Sequence, residues 1–571
     1  MYPAWLLLSV TAALGIGPDV ACAIGEQLAL EKVPPTPRLC IQEGCLFGRD
    51  LDGLEGGKYE AFTGIPYAKP PVGELRFKNP VPSEPWTGDY DATWERSRCI
   101  QKNDLRPQAV VEGSEDCLYL NVFRPKVNFR GPLPVIFFIH GGGYATGSIS
   151  LGEYGPERLM DTSKVILVMV QYRLAVFGFL ATGDEASPGN YAMKDQVMAL
   201  KWVQRNIAQF GGDPTRVTIM GQSAGGASVQ LHLMSPLSKG LFSKAVSMSG
   251  STLGFWNYNH DPLTLARRQA AAVGVEGAQE ISTAELVESL RKVDALTLAS
   301  SIDSVKFFYI HHITTYTPVV EKFVTGESFM TEDPRDLWST GRYHQVPYVM
   351  GFVPNEGVFT ADIIANKTQL EELNANSRSL IPHFVGVDTN PLSVQMLKDS
   401  FFPDGTNDQW LTDDNLYELQ EMLSEGYISY AIVLSIKQYL HYQTTTPKAP
   451  LSLYYFNFKG RYSRSHYYTQ TYADFGVCHA DDLNFLFRPS AIIPDYGPET
   501  PSWYMAKALV DYFVQFATNG ITEPLCTTES CPILQFTNSD DPRYPVRTNY
   551  LEGFNEERFA FWYNLYAMQN Y

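Results

Sequence analysis

The segment "RVTIMGQSAGGASVQLHLM", Arg216 to Met234, leaves the backbone few choices. A β-branched run enters it, small residues leave it, and Gly221-Gln222-Ser223-Ala224-Gly225 stands between them. The apolar run reads as a buried strand, and the residues after Ser223 read as a helix opened by small side chains. The turn joining them must be sharp, and the flanking glycines let strand and helix pack closely around it. Ser223 then projects above the end of the strand, where the helix N-terminus contributes its dipole and free N–H groups. A bare G-x-S-x-G is weak evidence in a chain with 44 glycines, so its meaning depends on its partners.

A serine hydroxyl is a poor nucleophile without a base and an oxyanion hole. Upstream, "FFIHGGGYATG" (Phe137 to Gly147) sets three glycines after an apolar strand. There, backbone N–H groups can approach a ligand with no Cβ in the way. The stretch could be a plain strand-end turn, but paired with the downstream serine it reads as the hole. An acid and then a histidine should follow the serine along the chain.

Of ten histidines, the adjacent His311-His312 and the isolated His232, His383 and His441 have no motif around them and read as surface or core residues. His479 in "FGVCHADDLNFLF" follows Gly476 in a loop-like stretch before an apolar run. The neighbouring Asp481-Asp482 raises the question of a metal, but no ligand spacing accompanies it, and no metal or cofactor is expected. "VPYVMGFVPNEGVF" puts Glu356 in a turn after a probable strand, which makes it the candidate acid. Exposed Glu-Gly turns are also common, so the residues alone leave its role open.

Apolar β-branched runs alternate with amphipathic segments, as in an α/β chain with a mostly parallel sheet. Strands are expected at 135–139, 165–171, 216–220, 244–248, 346–351 and 451–456. Helices are expected at 191–208, from Ser223, at 503–517, and after a capping box of Ser282 and Glu285. The helix-rich stretch from about 255 to 345 is expected to form a cap over the sheet. No repeat, linker or charge block divides the chain. A content of 44% apolar and 13% aromatic residues supports a large folded core. The net charge of −18 argues against nucleic acid as a partner.

An apolar run from Leu6 to about Ile16, followed by Ala21-Cys22-Ala23, reads as a secretory signal peptide over 1–23, although its n-region lacks Lys and Arg. One domain over 24–571 follows it. No later segment reads as a membrane span, so a secreted, extracellular protein without a membrane anchor is expected. In an oxidising compartment the simplest arrangement of the remaining cysteines is three disulfides with Cys478 left over. The pairs would be Cys40/Cys45, Cys99/Cys117 and Cys526/Cys531, although sequence does not fix connectivity. Asn366-Lys367-Thr368 is an N-glycosylation sequon.

Over essentially its full mature length the chain resembles the type-B carboxylesterase/cholinesterase family of α/β-hydrolases. The landmarks run in order: "FTGIPYAKPPVGELRF", "SEDCLYLNVFRP", "IHGGGYATG", "VQYRLAVFGFL", "GNYAMKDQVMALKWVQRNIAQFGGDP", "GQSAGGAS", "GFVPNEG" and "GVCHADDLNFLF". The resemblance implies a large, mostly parallel sheet flanked by helices, with a helical cap. It implies Ser223 as nucleophile, His479 as general base and then acid, and Glu356 orienting the imidazole. It also implies backbone N–H groups of Gly142, Gly143 and Ala224 as the oxyanion hole, and a small-molecule ester as substrate. Arg76 with Glu115 and Arg173 with Asp195 match structural ion pairs of the family, and Cys99–Cys117 matches its first disulfide. The family's second disulfide has no counterpart, because no cysteine lies between Cys117 and Cys478.

Within the family, cholinesterases carry Trp in the first disulfide loop and Glu before the nucleophile. Here the loop "CIQKNDLRPQAVVEGSEDC" has no aromatic residue, and Gln222 replaces the Glu. A quaternary ammonium would lose a cation–π platform and a nearby negative charge. Gln222 is similar instead to the GQSAG of insect juvenile hormone esterases and marks the substrate-specificity candidate for a neutral, lipophilic ester. A general or odorant-degrading carboxylesterase is the alternative. An inactive, neuroligin-type adhesion protein would lose triad residues, all three of which are present here.

Overall fold

Val135, Phe137 and Ile139 join one buried cluster, while Ile136 and Phe138 join another. A single apolar run therefore separates two cores, as a strand buried on both faces must. The computed structural model describes residues 38–569 apart from 104–108, 128–130, 306–314, 361–365, 407, 413 and 444–448. The signal-peptide segment, Cys22 and His311-His312 lie outside the described residues.

The run belongs to an 11-stranded sheet. In chain order its strands are β1 (Arg49–Asp52), β2 (Lys58–Pro66), β3 (Tyr119–Pro125), β4 (Leu133–Ile139), β5 (Ile166–Val170) and β6 (Gly212–Gln222). They continue with β7 (Lys244–Met248), β8 (Tyr348–Phe352), β9 (Leu451–Asn457), β10 (Pro532–Asn538) and β11 (Val546–Glu552). Across the sheet they lie in the order β11-β10-β9-β8-β7-β6-β4-β5-β3-β2-β1. The strands from β5 to β10 pair in parallel, and β3 and β11 border them antiparallel. The protein thus has the α/β-hydrolase architecture implied by its motifs.

Helices α1 (Tyr191–Asn206) and α2 (Ala224–Met234) cover the face of Val135 and Phe137. Helix α3 (Thr283–Lys292) starts at the expected Ser282–Glu285 capping box and buries Leu286 and Leu290 in the same core. Helices α4 (Leu416–Ser424) and α5 (Tyr430–Gln443) are joined by a π-helical turn, Glu425–Ser429. Helix α6 (Pro501–Asn519) covers the opposite face through Met505, Leu509 and Phe513. Helix α7 (Glu556–Ala567) closes a third cluster with Trp562.

Helix residues of the stretch 255–345 join the cluster on the Val135 and Phe137 face of the sheet. Leu265, Leu286, Leu290 and Leu298 carry these contacts. Among the stretch's described residues, Trp256 lines the cavity above Ser223. Tyr427 and Ile428 of the π-helical turn supply further roof, with Arg464, Tyr467 and Tyr468.

Candidate active site

Strand β6 ends at Gln222, and α2 begins at Ala224, so Ser223 carries the whole reversal of direction. Its φ is +59°, in the left-handed region that costs a non-glycine residue about 1 kcal/mol or more. The turn is held from both ends. The Ser223 N–H donates to the Met248 carbonyl at 2.8 Å, and the Ser223 carbonyl accepts from the Ala227 N–H at 2.9 Å. A Cβ on Gly221 would collide with the Gly225 backbone, and one on Gly225 with the Ile139 carbonyl. The motif's glycines are therefore required by close approach.

Gly221 pairs with Ile139 across β6 and β4, so the glycine run begins beside the serine turn. Gly142 and Gly143 have φ of +108° and +60°. Among the described residues, the N–H groups of Gly142 and Gly143 donate to no backbone carbonyl. His140 braces this loop. It is buried, stacks on Tyr172 with ring centroids 4.4 Å apart, and its Nδ1 lies 2.8 Å from the Gly141 carbonyl. Burial lowers its pKa to about 4, so the neutral ring donates from Nδ1.

Glu356 and His479 sit after β8 and β9 respectively, at the same end of the sheet as Ser223. Their side chains meet, with His479 Nδ1 2.5 Å from Glu356 Oε2. The other carboxylate oxygen accepts the Val353 N–H at 2.9 Å, so Glu356, 0% exposed, is fixed at both oxygens. The two loops are tied by Asn355, which exchanges two hydrogen bonds with Val477. Sequence reading missed Asn355, although it stands beside Glu356 in the quoted motif.

Ser223, Gly142, Gly143 and His479 line one cavity of about 820 Å³, mouth included. Gln222 lines it as well. It is 3% exposed, and its Nε2 lies 3.1 Å from His479 Nε2. The cavity is thus lined by a strained serine, a glycine loop and a carboxylate-held imidazole. Trp256, Tyr427 and Ile428 form an apolar wall. Such a lining suits nucleophilic acyl transfer.

The neighbouring aspartates are committed to structure. Asp481 accepts from the N–H groups of Arg464 and Cys478 and from the Ser463 hydroxyl at 2.7–2.9 Å. Asp482 accepts from the Tyr454 hydroxyl at 2.9 Å, and burial raises its pKa to about 6. Burial also pushes the Cys478 thiol well above its ordinary range. His232 is a buried core residue between Ser238 and Gln196.

Disulfides join Cys40 to Cys45, Cys99 to Cys117 and Cys526 to Cys531, with Cys478 free and buried. Arg76 pairs with Glu115 at 2.5 Å and Arg173 with Asp195 at 2.7 Å. Asn366 is exposed and caps the helix Lys367–Ala375 through Oδ1, not through the nitrogen a glycan would use. None of the described helices is long and apolar enough to cross a membrane.

The carboxylesterase family model matches residues 35–562. A juvenile hormone esterase of Tribolium castaneum is 38% identical over 506 residues, covering 86% of this chain and 85% of that one. The venom carboxylesterase-6 of Apis mellifera is 33% identical over 497 residues, 85% of each chain. The crystal structure of juvenile hormone esterase from Manduca sexta, with OTFP covalently attached, superposes with a TM-score of 0.79 at 26% identity, covering 93% of this chain and 99% of that one. The chain belongs to the carboxylesterase family.

Proposed function

We propose that this carboxylesterase is secreted after loss of residues 1–23, acts as one domain over 24–571, and hydrolyses a neutral, lipophilic ester such as juvenile hormone. Ser223 Oγ attacks the ester carbonyl as His479 Nε2 takes its proton. The N–H groups of Gly142, Gly143 and Ala224 hold the tetrahedral oxyanion. His479 returns the proton to the departing alcohol, leaving an acyl group on Ser223. Water then attacks that acyl group by the same route and releases the acid. Glu356 keeps the ring in the tautomer whose Nε2 lone pair can accept the proton. The observation that carries this reading is the single cavity that places Ser223 and the glycine loop with an imidazole bound to Glu356 at 2.5 Å.

A neutral substrate is favoured by the lining. Position 222 holds an amide, and Trp256, Tyr427 and Ile428 offer apolar contact. Glu153, which also lines the cavity, is ion-paired with Arg98 at 3.5 Å. A general carboxylesterase is the second reading, supported by the 33% identity with the venom carboxylesterase-6 of Apis mellifera. The test compares kcat/KM for juvenile hormone, a short naphthyl ester and a choline ester, with Ser223→Ala as control. A strong preference for the hormone supports the first reading, and comparable hormone and naphthyl rates support the second. Full activity of Ser223→Ala would end both.

A further inference from the structure

His479 Nε2 must accept the Ser223 proton, yet the Gln222 side-chain nitrogen already lies 3.1 Å from it. The protonation pattern follows from the partners. Glu356 occupies Nδ1, so the neutral ring carries its hydrogen there and presents a lone pair at Nε2. Of the two ends of an amide, only the N–H end can face that lone pair. The Gln222 Oε1 correspondingly lies on the Gly141 side, where a Cβ on Gly141 would sit 2.8 Å from it. Gln222 is 3% exposed, so water competes poorly for the bond.

We infer that Gln222 is a positioning residue for His479, its amide holding the imidazole neutral and aimed into the cavity until the serine proton arrives. Once Nε2 carries that proton, an N–H faces an N–H, and the contact becomes repulsive. The amide must then turn its Oε1 toward the imidazolium or withdraw. Gln222 thus bears on the base itself as well as on the choice of ester. The inference rests on the serine-esterase reading, since it assigns Gln222 a role only if His479 is the base.

Other described groups lie around the ring. Glu356 faces Nδ1, and Asp482, Asp481 and Cys478 lie on the ring's own loop. Arg464 donates its backbone N–H to Asp481, and Tyr454 and Tyr455 of β9 lie near Glu356. All remain when only position 222 is changed.

The experiment measures kcat/KM against pH with a naphthyl ester for the native protein, Gln222→Met and Gln222→Glu, with Ser223→Ala as control. Methionine keeps the shape but removes the donor that favours the neutral ring. The acid limb should move up by about half to one pH unit, the size of one net hydrogen bond. Glutamate replaces the donor with a charge that favours imidazolium, and the limb should move up further, by about 1–2 units. Acid limbs superimposable on the native one in both variants would overturn the inference, even if KM changed. If Ser223→Ala is inactive in that case, the serine-esterase reading survives without this role for Gln222. If Ser223→Ala keeps its activity, the serine-esterase reading falls, and the inference with it.

Discussion

Asn355 and Val477 grip each other twice. The Asn355 N–H donates to the Val477 carbonyl, and the Val477 N–H donates to Asn355 Oδ1, both at 3.1 Å. One residue of the pair precedes Glu356, and the other lies two positions before His479. The spacing of Glu356 and His479 is therefore set by this clasp as well as by their own hydrogen bond. Gly476 permits the clasp, because a Cβ there would collide with Asn355 Oδ1, and its φ is +81°.

Gly476→Ala should accordingly separate the two loops. A displacement on the order of 1 Å at a catalytic group lowers rate by about 10²-fold. Steady-state kcat/KM and a thermal melt of the variant check this. A native rate with an unchanged Tm would show that the clasp does not set the geometry.

Glu356→Gln tests the orienting carboxylate. The amide can keep one of the two bonds, to the Val353 N–H or to His479, but it carries no charge to stabilise an imidazolium. The expected fall in kcat is about 10³–10⁴-fold with little change in Tm. A loss below tenfold would remove Glu356 from the proposed mechanism.

The strands were legible because their apolar runs are buried on both faces, as at Val135–Ile139 and Lys244–Met248. The serine turn and glycine loop were legible because only small residues survive such close approach. Glu356 was not readable from its own surroundings, since a Glu-Gly turn looks the same on a surface. Its place depends on Asn355 and Val477, which are 122 residues apart in sequence. The roof of the cavity was not legible for a related reason. The π-helical turn carrying Tyr427 and the short helix Ser465–Thr469 carrying Tyr467 meet only in the folded chain.

Removing the Cys99–Cys117 bridge, by changing both residues to serine, should cost about 3 kcal/mol, as for other loops of this length. It should also reach the site. Gln101, inside the loop, accepts from the Gly147 N–H at 2.8 Å and from the Thr146 hydroxyl at 2.6 Å, bracing the end of the glycine loop. Urea melts and kcat of the double variant should therefore fall together. An unstable variant with native kcat would separate the bridge from the glycine loop.

Asp482 gives stability a pH dependence of defined sign. Burial raises its pKa from 3.8 to about 6, with the nearby Glu356 adding to the rise and the Tyr454 hydrogen bond opposing it. Between those values the native state binds more protons than the unfolded chain, so this group's contribution is complete below about pH 4 and is lost as pH rises through 6. A shift of about two units corresponds to at most about 3 kcal/mol. Asp482→Asn retains a carbonyl to accept from Tyr454 but never ionises. The variant should thus gain stability over the native protein as pH rises from 4 to 7, with most of the gain appearing between pH 4 and 6. Denaturant melts at pH 4 and pH 7 measure it. A stability difference of equal size at both pH values would mean that Asp482 does not titrate in this window.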